Sequence, residues 1–298
     1  MLEFIRIQRF KTLMDASFPL GPLNIFSGLN GMGKSSLIQT LLLIRQSFER
    51  NTLFEKGLLL KGDYVSLGTG QDILSEQAEI NSIEFILSFS DREPVGFSFD
   101  YASQSDLQPI KTKICIAKAD SLSLLNHNFQ YLSADRISPS ASYEVSDYYI
   151  HDLNSLGNHG EYTAHFIAEN GLKPLNIKAF QHQNTTSVKL LDNIEQWMSE
   201  LSPGLRIHTK LHSELNSVSL GYAYVHGKEM TADFKPQNVG FGLTFVLPVL
   251  TAILRSKPGD LLIIENPEAP RELQQYKMRE LESQAGTILP TLGIIIEF

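Results

Sequence analysis

The chain has a single cysteine, Cys115, in 298 residues, which excludes any disulfide within it. That usage fits a reducing compartment, and the expectation is a cytoplasmic protein. Long apolar runs are also missing. The most apolar uncharged stretch, 239–254, falls short of the ~20 residues of a membrane span and contains two glycines and a proline. It reads as a buried helix with a loop before it, and no membrane contact is expected. Residues 1–13 carry scattered charges and no apolar core, so no signal peptide is expected. Positive charge is in deficit: 25 Lys and Arg against 33 Asp and Glu give a net charge of −8. This excludes a generally basic nucleic-acid coat and leaves only a local basic groove open. No heptad is sustained and no segment repeats, so no long coiled-coil arm is expected. The eight histidines show no ligand spacing beyond His208 and His212 in an expected strand, which argues against a metal site there.

What is present alternates between strand and helix rhythm. Phe4, Ile5 and Ile7 mark a first strand; Phe18 to Leu20 and Leu23 to Phe26 mark further ones, broken at Gly21 and Pro22. Apolar residues at helical spacing predict a helix from Lys34 to about Phe48. Strand alternation returns from about Ile80 to Lys118, through Ile83, Phe85, Leu87, Phe97, Phe99, Ile114 and Ile116. Residues 133–160, rich in Ser, Asp, Asn and Gly, read as an extended surface loop. Helices are expected over Glu161 to Glu169 and Val188 to Leu201. The apolar stripe of the second runs Val188, Leu191, Ile194, Met198 and Leu201, with Trp197 read as core. Strands are expected again at Leu205 to Leu211 and Val218 to Val225.

Three motifs carry chemistry. Gly28 to Ser35, reading GLNGMGKS, satisfies G-x-x-x-x-G-K-[ST] between an apolar strand and a helix. Gly28, Gly31 and Gly33 let the backbone wrap a phosphate with N–H groups inward, alongside Asn30. Lys34 brings positive charge to the outer phosphates, Ser35 offers a hydroxyl to Mg2+, and Ser36 lies in the same first helical turn. The reading is an ATP site; the bland alternative is a glycine-rich turn with a chance lysine. The second motif, Asp260 to Glu265, is an apolar strand ending on an acid and followed by Asn266, Pro267 and Glu268. A carboxylate there is placed to hold magnesium behind a P-loop, and an ordinary strand with a surface acid is the alternative. The third, Asn238, Gly240 and Gly242 before an apolar helix, could present N–H groups to a phosphate; locally it reads as a helix start, with Pro248 kinking or restarting that helix.

In order and spacing these motifs resemble the ABC-type ATPase heads of the RecF, SMC and OLD group. The likeness is nearest to bacterial standalone AAA-type ATPases allied to the OLD and Septu or retron defence ATPases. Ile5 to Ile7, Phe10 to Thr12 and Leu23 to Gly28 share it, as do Tyr131 to Arg136 and Gly160 to His165. The resemblance implies an α/β P-loop NTPase of ABC-ATPase head type with a mixed central sheet. It would be a single head over 1–298, with nucleotide-binding halves 1–70 and 236–298 and an insertion of antiparallel strands and helices over 71–235. It implies ATP and Mg2+ as cofactors and a homodimer closed by an ATP sandwich, in which Asn238, Gly240 and Gly242 cap the partner's nucleotide. Thr244 would replace the usual serine. A nuclease partner in nucleic-acid maintenance or phage defence is implied, and nucleic-acid binding is left open.

Departures from that pattern bear on turnover. The family places Asp-Glu where this chain has Glu265 and Asn266. An amide cannot take a proton, so Glu268 becomes the expected base, with Glu265 in the acidic pair beside it. The strand ending at Glu297 looks like the one that precedes a switch histidine, but the sequence ends at Phe298. ATP binding with weak hydrolysis is the leading expectation. A non-hydrolysing ATP-binding scaffold is the alternative, and a small-molecule kinase a further one. Gln71 and Asp72 are read as a polar loop, with a place near magnesium as the alternative. Arg136 is read as solvated, with a phosphate or nucleic-acid contact as its alternative.

Overall fold

The computed structural model describes residues 1–28, 33–90, 92–114, 116, 118–227, 229–267 and 291–297. Contacts divide the chain into two compact units: residues 1–129 with 288–297, and residues 130–287 with 298. The first contains β1 (Leu2–Phe10), β2 (Leu13–Pro19), β3 (Leu23–Gly28), α1 (Lys34–Glu49), β4 (Gly57–Leu59), β5 (Ser82–Phe89), β6 (Arg92–Asp100) and β7 (Leu107–Pro109). The second begins within β8 (Phe129–Leu132). It continues through β9 (Tyr143–Glu144), α2 (Thr163–Asn170), α3 (Leu190–Ser199), β10 (Leu205–His212), β11 (Ser217–His226), β12 (Glu229–Met230), α4 (Phe241–Arg255) and β13 (Leu261–Glu265). The last strand, β14 (Thr291–Glu297), belongs to the first unit. The architecture is mixed α/β, with several sheets and few helices among the described residues.

In the first unit β2, β1, β5 and β6 form an antiparallel sheet in that order. Alternation puts Ile5, Ile7, Ile83, Phe85, Phe97 and Phe99 on one buried face. Phe85 meets Phe10 edge-on at 5.5 Å and Phe99 at 5.9 Å between ring centres. Helix α1 is buried around most of its surface, polar positions included. Its polar groups are satisfied internally: the Thr40 hydroxyl donates to the Ser36 carbonyl, the Gln46 amide to the Leu59 carbonyl, and Arg45 to the carbonyls of Leu124 and Asn126. Ile114 and Ile116, expected in a strand, lie in none among the described residues. The last pairing before them is the bridge of Ile110 to Phe99. Cys115 lies outside the described residues.

The second unit is built on the β10–β11 hairpin, flanked on β11 by β9 and β12. Helices α2 and α3 lie against β10, and α3 also meets α4. The buried stripe of α3 is Leu190, Asn193, Ile194 and Met198, rotated from the expected one, and Val188 and Leu201 are exposed. Trp197 is not core. It is 39% exposed, its indole N–H donates to the Phe180 carbonyl at 3.0 Å, and its ring meets His182. Residues 133–160 are not a solvated loop either: Arg136, Tyr143, Ile150 and Leu156 are buried. Pro248 stands inside an uninterrupted α4. Gly160 closes on its ring, at a φ of 75° and with space for no Cβ, which would come 2.6 Å from Pro248 Cβ.

Candidate functional site

Strand β3 ends at Gly28 and α1 starts at Lys34. Asn30 and Gly31 lie outside the described residues between them. Gly33 closes the turn in the left-handed region, φ 87°, and a Cβ there would come 2.6 Å from Leu13 Cδ2. Glycine answers both constraints. The Lys34 ammonium folds back to donate to the Gly28 carbonyl at 2.5 Å, tying the two ends of the motif together. Ser35 is exposed and Ser36 buried. No side chain caps α1 and no acid stands in its first turn. Its first N–H groups and the positive end of its dipole therefore meet no competing carboxylate from the helix itself. Nearby, Asp72 caps the short 3-10 turn Gly70–Asp72 by accepting from the Thr69 N–H at 2.7 Å, and Gln71 is exposed. Those bonds hold the Asp72 carboxyl below its usual range. Its role in the structure is that of a cap.

Strand direction corrects one expectation. β14 runs antiparallel to β3, with Thr291 opposite Gly28 and Ile296 opposite Leu23. The C-terminal end of β14 therefore lies at the start of β3, about 15–20 Å of strand from the Gly28 end. There Glu297 accepts from the Leu2 N–H at 2.8 Å and lies 3.6 Å from the chain's amino group. β14 is thus not a strand whose end delivers a switch group to Lys34.

In the second unit, Glu265 ends β13 with its carboxylate half-buried. The Tyr131 hydroxyl donates to its Oε2 at 3.1 Å. Burial pushes the Glu265 carboxyl up; the Tyr131 hydroxyl, the Ala134 N–H and the Arg136 charge oppose that. Burial and the neighbouring carboxylate push the Tyr131 hydroxyl up as well, so it stays a donor. Arg136 is buried, contrary to the solvated reading. Its guanidinium donates to the carbonyls of Ser133 at 3.1 Å, Glu265 at 2.8 Å and Asn266, and lies 3.7 Å from the centre of the Phe245 ring on α4. Asn266 sits at φ 43°, a left-handed conformation that asparagine tolerates better than most residues. Glu268 lies outside the described residues.

Asn238 ends a short turn, Pro236–Asn238, and is exposed. Gly240 is the N-cap of α4 and Gly242 lies in its first turn, so the helix starts earlier than the apolar run suggested. No side chain caps this end and no acid stands in it; Gly240 has open space where a Cβ would be. Thr244 does not offer its hydroxyl outward. It is buried, with its oxygen 3.5 Å from the Tyr222 hydroxyl.

Sequence reasoning passed over Tyr131 and Arg136 as partners of Glu265. They lie about 130 residues away in sequence, and only the likeness of the 131–136 segment to a family pointed at them. His208 pairs with Asp233 at 2.7 Å, and His212 lies 3.0 Å from the Ser219 hydroxyl. Asp147, His165 and Glu169 do come within 4.8 Å of one another. However, His165 Nδ1 accepts from the Ser146 N–H at 3.2 Å, so its proton is on Nε2, facing Glu169 at 3.4 Å. A ring nitrogen that carries a proton has no lone pair for a metal.

No protein-family model matches this chain, and no curated protein matches it in sequence. Among solved structures, an SMC head bound to the C-winged helix domain of ScpA matches with 13% identity over 85% of this chain and 74% of that one, at a TM-score of 0.36. So slight a superposition carries no argument about fold or activity. No helix among the described residues is long and apolar enough to cross a membrane.

Proposed function

We propose that this chain binds ATP through the loop between β3 and α1. One observation carries the reading: Lys34, at the start of a helix with no side-chain cap, folds back on the Gly28 carbonyl with Gly33 left-handed between them. Those features support the reading of a G-x-x-x-x-G-K-S segment that surrounds a phosphate with N–H donors and one ammonium. Magnesium would neutralise phosphate charge, and the sequence motifs nominate the Ser35 hydroxyl and the Glu265 carboxylate as its ligands. Asn238, Gly240 and Gly242, on the exposed uncapped start of α4, are proposed to cap the nucleotide of a second copy of this chain. ATP-driven dimerisation of ABC-head type, acting on a nuclease or nucleic acid, is the function this implies.

Turnover is proposed to be slow. In-line attack needs a group that orients or deprotonates water. Asn266 stands where the resembled family has a glutamate, and its amide can orient a water but take no proton. Losing one positioned group costs on the order of 100-fold in rate. The deciding test of binding is calorimetric titration of Lys34→Ala with a non-hydrolysable ATP analogue and magnesium. Affinity falls at least about tenfold if one phosphate-bound ammonium is lost. Unchanged affinity in a folded variant overturns the assignment.

A further inference from the structure

The second unit contains a cavity of about 420 Å³ unrelated to the motifs above. Lys173, Arg255, Lys257 and His151 line it, and no carboxylate is among its described lining residues. In a chain with a net charge of −8, three permanent positive charges around one hollow form a local reversal of sign. Arg255 makes the case stronger than a rim of surface lysines would. It is buried, and its guanidinium donates to neutral acceptors, the Asn154 carbonyl at 2.6 Å and the Gln130 side-chain oxygen at 2.9 Å. Its Nε has no hydrogen-bond partner. A buried arginine is ordinarily matched by an acid it touches. Two carboxylates lie in the region: Glu169 pairs with the lining His151 at 3.0 Å and with His165, and Asp260 acts on the Arg255 charge through space while one of its oxygens accepts from the Lys257 N–H at 3.1 Å and the other has no partner. Phe166 and Leu254 add apolar wall.

We propose that this cavity binds a small phosphate-bearing molecule, up to about the size of a nucleoside monophosphate. Its volume is in the range of ligand pockets, about 300–1,000 Å³. A phosphate dianion offsets three positive charges better than a single carboxylate does, and ammonium and guanidinium groups both donate well to its oxygens. The apolar wall suits an organic body attached to the phosphate. The site does not depend on the P-loop and stands or falls apart from the ATP reading.

The test uses the full chain carrying Lys34→Ala, which removes the P-loop lysine. Inorganic phosphate, AMP and adenosine are titrated by calorimetry and by ligand-observed NMR, up to about 10 mM, the weak end of measurable affinity. AMP binds more tightly than phosphate, and adenosine much more weakly than AMP. Lys173→Glu with Lys257→Glu lowers AMP affinity at least about tenfold, because two charge reversals replace attraction for a dianion with repulsion. Both lysines are exposed, so these variants fold; an unchanged thermal transition checks this. Reversal of the exposed Lys178, outside the cavity, leaves affinity alone. The proposal is overturned if neither phosphate nor AMP binds, if the double reversal binds AMP as the parent does, or if adenosine matches AMP.

Discussion

Arg136→Ala tests whether the end of β13 is held by one buried guanidinium. The wild-type side chain donates to three backbone carbonyls, those of Ser133, Glu265 and Asn266, and packs on the Phe245 ring. Hydrogen bonds from a charged donor are worth about 1.5–3 kcal/mol each, and the cation–π contact about 1–2 kcal/mol. The full sum overstates the loss, because Ser133, Glu265 and Asn266 are only half-buried and water can reach their carbonyls once the arginine is gone. A net destabilisation of about 3–5 kcal/mol is expected, the usual cost of removing one member of a buried charged network. With a urea dependence of about 2 kcal/mol per molar, the midpoint falls by about 2 M. Trp197, the only tryptophan, lies in the same unit and reports its unfolding by fluorescence. Hydrogen exchange should quicken first at residues 261–266. Arg136→Lys keeps the charge but not the planar fork, and should lose about half as much. A midpoint within about 0.3 M of wild type for Arg136→Ala would refute the clamp.

Gly240→Asp, at an exposed N-cap with open space for a side chain, should leave folding intact. It should abolish ATP-dependent association measured by light scattering, because its carboxylate would face a phosphate; association that persists removes the capping role. Gly57→Ala should cost at least about 2 kcal/mol in thermal or urea unfolding, since φ is 140° and the new Cβ would come 1.9 Å from the Gln108 carbonyl oxygen. Glu195→Gln tests a pH dependence. Burial raises the Glu195 carboxyl above its ordinary value, although the Ile207 N–H donates to it at 2.8 Å. The folded state then holds this proton more tightly than the unfolded chain, so its contribution to stability falls as pH rises from about 4 through the raised value. The variant should therefore gain on wild type over that interval and keep a constant difference above it. A difference that shrinks as pH rises would contradict the sign.

Much of the secondary structure was legible because it depends on local period. Helix α1 spans Lys34–Glu49 where the spacing put it, and the β10–β11 hairpin and β13 keep closely to their apolar patterns. The phosphate-binding proposal rests on the sequence motif, since glycine, lysine and serine at fixed spacing have few other uses. Misreadings came where polarity stood in for exposure. Residues 133–160 look solvated by composition, yet Arg136 is buried because three carbonyls and an aromatic face await it. Trp197 looks like core by size, yet it is 39% exposed near the end of α3, where its N–H finds the Phe180 carbonyl.

The sequence by itself determined where the chain turns from strand to helix and which short segment is the candidate to surround a phosphate, because φ/ψ freedom and side-chain period act over a few residues. Only the tertiary structure decided that β14 runs antiparallel to β3, that Tyr131 and Arg136 meet Glu265, and that Lys173, Arg255 and Lys257 share one hollow. Strand direction and long-range pairing are set by which surfaces exclude water together and which buried polar groups find partners. Those choices belong to the whole fold and leave no periodic trace along the chain.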